Sequence, residues 1–292
     1  MPNKDAVLVT RPEIHREPVD SSAFGVVEKP LSILEMLYNV TGLRKAAIIL
    51  VLALAWEIGG RLLDNDLLFP TFFATTTAFI KGIASGELII KLWASLKVLL
   101  MGYAIGIALA GLLTAIGIAS RIGTDFLETL TSMFNPLPAI ALLPIALIWF
   151  GLGNGSLIFV IVHSVLWSVA LNTHSGFLAV SNTLRMVGKN YGLSGFAYVS
   201  RILIPAAFPS ILTGLKIGWA FAWRTLIASE LVFGVSSGSG GLGWYIYENK
   251  NQLEITNVFA GLFMVIIIGL AVENGIFRYI ENRTVRKWGM QH

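Results

Sequence analysis

The feature that most constrains this chain is a series of long apolar stretches that recurs along most of its length. A bilayer core of about 30 Å needs about 20 mostly apolar residues per helix. Because the bilayer offers the backbone no hydrogen-bond partners, such stretches predict helices. The sequence therefore predicts an all-α, multi-pass membrane bundle of about six transmembrane helices, at approximately 45–63, 93–119, 127–150, 156–180, 209–234 and 256–280.

Composition favours a membrane protein over two soluble domains. Hydrophobic residues make up 55% of the 292 residues and charged residues 13%, whereas an average soluble domain is about 25% charged. The same values exclude a disordered chain and a nucleic-acid-binding module, which need more polar or charged sequence. Cysteine is absent, which excludes disulfide frameworks, thiolate metal sites and cysteine nucleophiles.

The third apolar window is the least uniform, because it contains Pro136, Pro138 and Pro144. Each proline removes a backbone hydrogen-bond donor and opposes a regular helix. We therefore expect this span to be kinked or broken and packed against other helices.

Lysine and arginine are distributed unequally between the two sides that six spans create. Fourteen lie on the side of the two termini and of the 181–208 loop, and five lie on the opposite side. The positive-inside rule then places both termini in the cytoplasm. Residues 1–44 are predicted to form a cytoplasmic tail ending in an interfacial helix, and residues 45–292 the transmembrane domain.

The loop 181–208 is amphipathic. Its pattern predicts two short helices, near 184–191 and 196–204, separated by Gly192 and Gly195 and stopped by Pro205. Two interpretations stay open: an interfacial helix pair between spans, or a docking element for a soluble partner.

The second half of this loop resembles a motif of ABC importer permeases, written Glu-Ala-Ala, three residues, Gly, nine residues, Ile, one residue, Leu-Pro. Gly192 is followed after nine residues by Ile202, and then by Ile204 and Pro205. Residues 186–188, Met-Val-Gly, replace Glu-Ala-Ala. Over residues 45–290 the chain most resembles the permeases of taurine, sulfonate, nitrate and bicarbonate uptake. Segments similar to theirs occur in the expected order, namely Asn135–Pro138, Trp149–Gly153, Pro205–Pro209, Ala228–Glu230 and Gly241–Gly243.

This resemblance implies a MetI-like permease subunit of a type I ABC importer for a small anionic solute, in the bacterial cytoplasmic membrane. It implies as partners ABC ATPase subunits, a second permease copy in a homodimer, an extracytoplasmic solute-binding protein and the lipid membrane, but no nucleic acid. The chain has no G-x-x-x-x-G-K-[ST] sequence, so it cannot bind and hydrolyse ATP by a P-loop of its own. The resemblance implies a transport subunit that is not an enzyme and that holds no cofactor. ATP and Mg would be bound by the partner ATPase.

The resemblance also assigns roles within the chain. The residues expected to couple the loop to the ATPase are Leu184, Arg185, Gly188, Lys189, Gly192, Leu193, Ser194, Ile202 and Pro205.

Polar and charged residues inside the spans are candidates for the transport pathway or its gate, because burying charge in a bilayer is costly. These are His163, Trp167, Asn172, Arg224 and Glu230. For Arg224, an anion site and a structural pair with Glu57 or Glu273 are both open. For Glu230, gating and helix packing are both open. Glu230 and Arg224 are six residues apart and so lie on different faces of one helix, which disfavours a direct pair between them. We therefore expect the partners of Glu230 on other helices.

Other patterns have simpler interpretations. Gly102 and Gly106 form G-x-x-x-G, which favours close helix packing. The four histidines are scattered, so no metal site is expected. The G-x-G-x-x-G sequence at 238–243 lacks the strand that a dinucleotide site needs and predicts a turn or re-entrant element.

The alternative function is a secondary transporter driven by an ion gradient, for which inverted repeats would be expected.

Overall fold

A computed structural model describes residues 39–233 and 240–287, and all regular structure in those ranges is helical. The described residues divide into two units, with the boundary between Leu52 and Ala53. Most of the predicted tail and interfacial helix, up to residue 38, lies outside the described residues. The helices, in order, are α1 (Thr41–Leu63), α2 (Phe72–Ala84), α3 (Glu87–Ala119), α4 (Arg121–Phe134), α5 (Leu143–Phe150), α6 (Asn154–Leu178), α7 (Asn182–Asn190), α8 (Gly195–Tyr198), α9 (Ile204–Phe233), α10 (Leu242–Asn251), α11 (Ile255–Ala271) and α12 (Arg278–Arg283).

Within the described residues, five helical segments are long and apolar enough to cross a membrane, and a bent pair can supply a sixth. The bent pair joins α4 to the segment 139–150, which consists of the short 3₁₀ turn Ala139–Leu142 and α5, at an angle of 86°. The break falls at Asn135–Pro138, where Pro136 and Pro138 interrupt the backbone hydrogen bonds. The predicted break in the third span is therefore confirmed.

The register of α3 and α6 indicates that the bent pair crosses the bundle once. Three glycines of α3 lie against α6 in the same order along both helices: Gly102 on Ile161, Gly106 on Val165 and Gly117 on His174. The two helices are thus parallel, and the start of α6 lies level with Ser95. Between Ala119 and Asn154 the chain must return by about 36 Å, the length of 24 helical residues. Residues 121–150 are the segment that makes this return.

The fifth span begins earlier than the sequence predicts, because its helix does not stop at Pro205. A helical segment runs from Gly195 to Val232 and includes a π-helical turn at Val199–Leu203. In that turn the Ile204 amide donates to the Val199 carbonyl, five residues back. A wider π turn relieves the clash between a proline ring and the carbonyl four residues earlier. The predicted helix end at Pro205 is therefore wrong.

Helix α2 was not predicted; it lies between the first and second predicted spans. Thr71 caps it by accepting from the Ala74 amide at 3.2 Å. An aromatic cluster around Trp56 packs against it, with ring centroids 5.6 Å from Phe72 and 5.5 Å from Phe263. With 13 residues, α2 is too short to span a bilayer.

The centre of the bundle is formed by α6, which packs most extensively against α9 and α3. A Cβ at Gly106 would lie 2.7 Å from the Val165 side chain, and one at Gly102 would lie 2.6 Å from Ile161. Such distances are shorter than ordinary van der Waals contact, so only glycine permits this approach. The interpretation of the G-x-x-x-G pattern as a packing motif is confirmed.

Candidate functional site

The loop 181–208, called the coupling loop below, is a well-formed structural element. Ser181 caps α7 by accepting from the Leu184 amide. At its other end the Gly192 amide donates to the Lys189 carbonyl at 2.9 Å, and the Leu193 amide donates to the Gly188 carbonyl at 3.0 Å. These two bonds form a Schellman motif, which requires a left-handed residue at Gly192, and its φ is +69°.

Arg185 connects α7 to the end of α6. Its Nη2 donates to the Phe177 carbonyl at 2.6 Å, and its Nε donates to the Val180 carbonyl at 3.1 Å. The last carbonyls of a helix lack intrahelical partners and carry partial negative charge, so a guanidinium stabilises them. Displacement of α7 would therefore be transmitted directly to the transmembrane helix α6.

Gly188 provides the second connection. It is buried, and a Cβ there would lie 2.8 Å from the Tyr198 ring and 3.0 Å from Ile202. The α7 backbone thus rests on the start of the fifth span. Gly188 occupies a position where the family motif has alanine, and the close approach explains why a smaller residue suits this chain.

Two aromatic side chains of the coupling loop are highly exposed. Tyr191 is 81% exposed and Phe196 is 84% exposed, and both lie in the connection between α7 and α9. Among the other predicted coupling residues, Leu184, Lys189 and Ser194 are exposed, whereas Leu193, Ile202 and Pro205 are half-buried. Exposed aromatic side chains on an ordered loop are candidates for contact with a partner.

A second candidate site is a cavity of about 340 Å³, called the midspan cavity below. It lies between the break in the third span, α6 and α9. Three of the five predicted pathway residues line it, namely His163, Trp167 and Arg224. The remaining lining residues are Asn135–Ile140, Ser164, Ser168, Phe221, Thr225 and Ala228.

Asn172 and Glu230 do not line this cavity. Asn172 lies closer to the coupling loop and donates to the Ser168 carbonyl at 2.8 Å within its own helix. Its Cβ also packs against Gly214, where a side chain would approach to 2.8 Å. In this structure Asn172 has the contacts of a helix-packing residue, while its predicted pathway role is untested.

Arg224 lacks the ion pairs that the sequence analysis left open. Glu57 instead accepts from Arg61 at 2.7 Å and from the Phe73 amide at 2.9 Å. Among the described residues, Arg224 forms no ion pair with Glu273 or with any other acidic side chain. The structural pairing considered for Arg224 is therefore wrong.

Glu230 is buried at the opposite end of α9 from the coupling loop, where it holds the start of α10. Both of its carboxyl oxygens lie 2.9 Å from Ser95 Oγ, and Oε2 accepts from the Gly243 amide at 2.8 Å. Ser95 Oγ also accepts from the Leu242 amide at 2.9 Å. We call these four residues the Glu230 clamp; the expectation that Glu230 finds its partners outside its own helix is confirmed.

The sequence signal for this clamp was the glycine pair around Leu242. A Cβ at Gly241 would overlap Ser95 Oγ, and one at Gly243 would lie 2.6 Å from the Ile227 carbonyl. The predicted turn at 238–243 lies partly outside the described residues, which resume at Gly240. From Gly241 onwards the segment packs tightly against the bundle.

Comparison with known proteins gives the family. Residues 102–286 match the model of the binding-protein-dependent transport system inner membrane component. This match includes the coupling loop, the midspan cavity and all of the Glu230 clamp except Ser95.

Individual relatives cover most of the chain. A Methanocaldococcus jannaschii protein named as an ABC transporter permease is 31% identical over 78% of this chain and 85% of its own length. The nitrate import permease of a Synechocystis species is 30% identical over 86% and 92%. A Bacillus subtilis protein named as an aliphatic sulfonates transport permease is 27% identical over 85% and 87%.

These matches confirm the predicted MetI-like family and remove the reason to consider a secondary transporter. They agree with the helical membrane architecture described above. The chain belongs to the family of binding-protein-dependent transport system inner membrane components, the permease subunits of ABC transporters.

Proposed function

We propose that this permease forms the path by which an ATP-driven importer carries a small anionic solute, such as a sulfonate, nitrate or bicarbonate, across the membrane. The observation that carries the proposal is the double attachment of α7. Arg185 binds the end of α6, and Gly188 rests on the start of the fifth span. An element so attached suits transmission of force from a soluble partner to the path.

The proposed complex contains a separate ABC ATPase, a second copy of this permease and an extracytoplasmic solute-binding protein. ATP and Mg bind to the ATPase, because this chain has no P-loop sequence. The chain lies in a bacterial cytoplasmic membrane with both termini in the cytoplasm. The distribution of lysine and arginine supports that orientation, as does the single crossing made by residues 121–150.

Coupling follows from the geometry of the loop. The ATPase contacts the exposed aromatic side chains of Tyr191 and Phe196. When ATP binding draws the ATPase subunits together, α7 moves with them as a rigid body, because both of its ends are capped. Arg185 and the buried contact at Gly188 carry this motion to α6 and α9, which form two walls of the midspan cavity.

The anionic class of solute is supported from two directions. Two relatives are named for nitrate import and for transport of aliphatic sulfonates. Among the residues lining the midspan cavity, the charged side chain is Arg224, a cation. His163 and Trp167 lie on the wall that α6 forms, and we place them on the path with Arg224.

The proposal is tested by affinity purification of the tagged chain from its native membrane in mild detergent, followed by identification of its stoichiometric partners. We expect one P-loop ATPase per permease. Tyr191→Asp and Phe196→Asp should abolish this association, because both change an exposed apolar contact into a charge. Leu68→Asp is the matched control, since Leu68 is 72% exposed but lies in the connection between α1 and α2.

Folding is checked on the same samples by size-exclusion chromatography, since substitution of highly exposed side chains should leave the bundle intact. An ATPase that stays bound to both coupling-loop variants would contradict the assigned docking surface. A permease that purifies without any ATPase would contradict the proposed function itself.

A further inference from the structure

The wall of the midspan cavity carries hydrogen-bond donors and a positive charge. Arg224, His163 and Trp167 line it, and none of its lining residues is acidic. An arginine presents five N–H donors and no acceptor, and an indole presents one donor. The ring nitrogens of His163 and Trp167 are closed to a water-sized molecule. The charge of Arg224, with no acidic residue in the lining, is therefore what complements an anion.

Two of these side chains lack partners within the protein. Neither ring nitrogen of His163 has a hydrogen-bond partner, and Trp167 Nε1 has none, although these atoms are sealed from solvent. Buried polar groups are nearly always paired. Trp167 is 8% exposed and stacks on Phe134 with centroids 5.2 Å apart, so its ring is held in place by packing.

Arg224 differs from the other cation within the same helix. Lys216 binds Glu281 Oε2 at 2.5 Å, whereas Arg224 has no acidic partner among the described residues. Its Nε donates to the Ala220 carbonyl at 3.1 Å, and its guanidinium carbon lies 5.4 Å from the centroid of Phe221. These contacts orient the guanidinium group without neutralising its charge, which leaves the charge available for a ligand.

The cavity has a suitable size and depth. Its volume of about 340 Å³ is at the lower end of the range of about 300–1,000 Å³ that small-molecule sites occupy. It thus accommodates a small oxyanion with some hydration or a short organic tail. His163 lies nine residues into the 25-residue helix α6, and the opposite wall is the break in the third span, so the cavity lies midway along the spans. Phe221 and Arg224 are exposed, so the cavity is open at the surface of the protein.

We propose that the midspan cavity is an anion-binding site of the permease itself, which takes a monovalent oxyanion such as nitrate or the sulfonate group of a small organic molecule. Arg224 supplies the charge and a two-pronged hydrogen bond to two oxygens of the anion. Trp167 and His163 form part of the surrounding wall, with their ring nitrogens closed to a water-sized molecule in this structure. The inference deepens the proposed function and rests on it: solute selection then lies partly in this subunit and not only in the binding protein.

The test measures binding to the complete permease–ATPase complex in lipid nanodiscs, without binding protein or ATP. The probes are nitrate and ethanesulfonate, with methylammonium as a cation of similar size, and isothermal titration calorimetry reports their affinities. We expect at least one of the two anions to bind and methylammonium not to bind.

Variants assign this binding to the cavity. Arg224→Gln should weaken it about 10- to 150-fold, the range for hydrogen bonds to charged groups, and Arg224→Lys should weaken it less. Arg61→Gln is the control, because Arg61 is an exposed cation bound to Glu57 outside the cavity.

Several results would overturn the proposal. One is the failure of both anions to bind, and another is equal binding by Arg224→Gln and the unchanged protein. A third is an equal effect of Arg224→Gln and Arg224→Lys accompanied by a lower melting temperature, which would make Arg224 a structural residue. Loss of the ATPase on purification would instead contradict the proposed function, so the two failures are distinguishable.

Discussion

Replacing Ser95 with alanine removes one hydroxyl from the Glu230 clamp. This hydroxyl donates to the carboxyl group of Glu230 and accepts from the Leu242 amide, each at 2.9 Å. Ser95 and Leu242 are both fully buried, so water cannot replace the lost partner without opening the structure. We expect the start of α10 to detach from the bundle more often in this variant.

The magnitude follows from the groups left unpaired. A buried N–H without a partner costs about 1–3 kcal/mol, and loss of one donor to the carboxyl group adds about 1 kcal/mol. The local opening free energy should therefore fall by about 2–4 kcal/mol. At about 1.4 kcal/mol per factor of ten, opening becomes about 30- to 700-fold more frequent.

Hydrogen–deuterium exchange with mass spectrometry measures this opening at the amides of residues 242–251, since exchange of protected amides reports local opening. Ser229→Ala is the matched control. Ser229 is also fully buried and lies next to Glu230, but its hydroxyl only donates to the Thr225 carbonyl of its own helix. Equal exchange rates at residues 242–251 in the two variants would refute the role assigned to Ser95.

Three further substitutions test the coupling loop and the helix packing. Arg185→Leu removes two charge-assisted hydrogen bonds, worth about 1.5–3 kcal/mol each. In proteoliposomes, the amount of solute taken up per ATP hydrolysed should therefore fall, while the ATPase stays bound. An unchanged amount of solute per ATP would contradict the proposed coupling through Arg185. Gly192→Ala places a side chain at a φ of +69°, which costs about 1–2 kcal/mol and should weaken ATPase binding in pull-down titrations. Gly106→Val overpacks the contact with Val165 and should destabilise the bundle by about 1–3 kcal/mol, measured by thermal unfolding. Gly111→Ala is the control and should not lower the stability, because no atom lies within 4 Å of the added Cβ.

The apolar spans were predictable because the bilayer imposes length and hydropathy on each of them. The break in the third span was predictable as well, since Pro136 and Pro138 cannot continue the hydrogen-bond pattern. Its 86° angle was not, because it depends on how α4 and α5 pack against α6. Helix α2 escaped detection for the same reason: it is too short to span, and its stability comes from tertiary contacts with Trp56.

Proline gave the wrong prediction at the start of the fifth span. Pro205 signals a helix end in sequence, but the π turn before it displaces the carbonyls that its ring would meet. A local rule cannot anticipate this turn, because it forms where the loop packs on Gly188.

The site residues were also predictable only in part. The cost of burying charge identified Arg224 and Glu230 as candidates, but it could not predict which groups they contact. Glu230 is held by Ser95, 135 residues away, and by the Gly243 amide. Arg224 proved unpaired among the described residues, which no spacing rule predicts. Which polar groups meet is a property of the packed helices and not of their sequence separation.

The central claim is that the coupling loop binds an ATPase. Because the chain contains no cysteine, Tyr191→Cys introduces a single thiol that can carry a maleimide-linked photo-crosslinker. Illumination of native membranes should attach this permease covalently to a P-loop ATPase, identified by mass spectrometry. Leu68→Cys, carrying the same crosslinker, should not. An ATPase adduct from Leu68→Cys alone, or from neither position, would contradict the account.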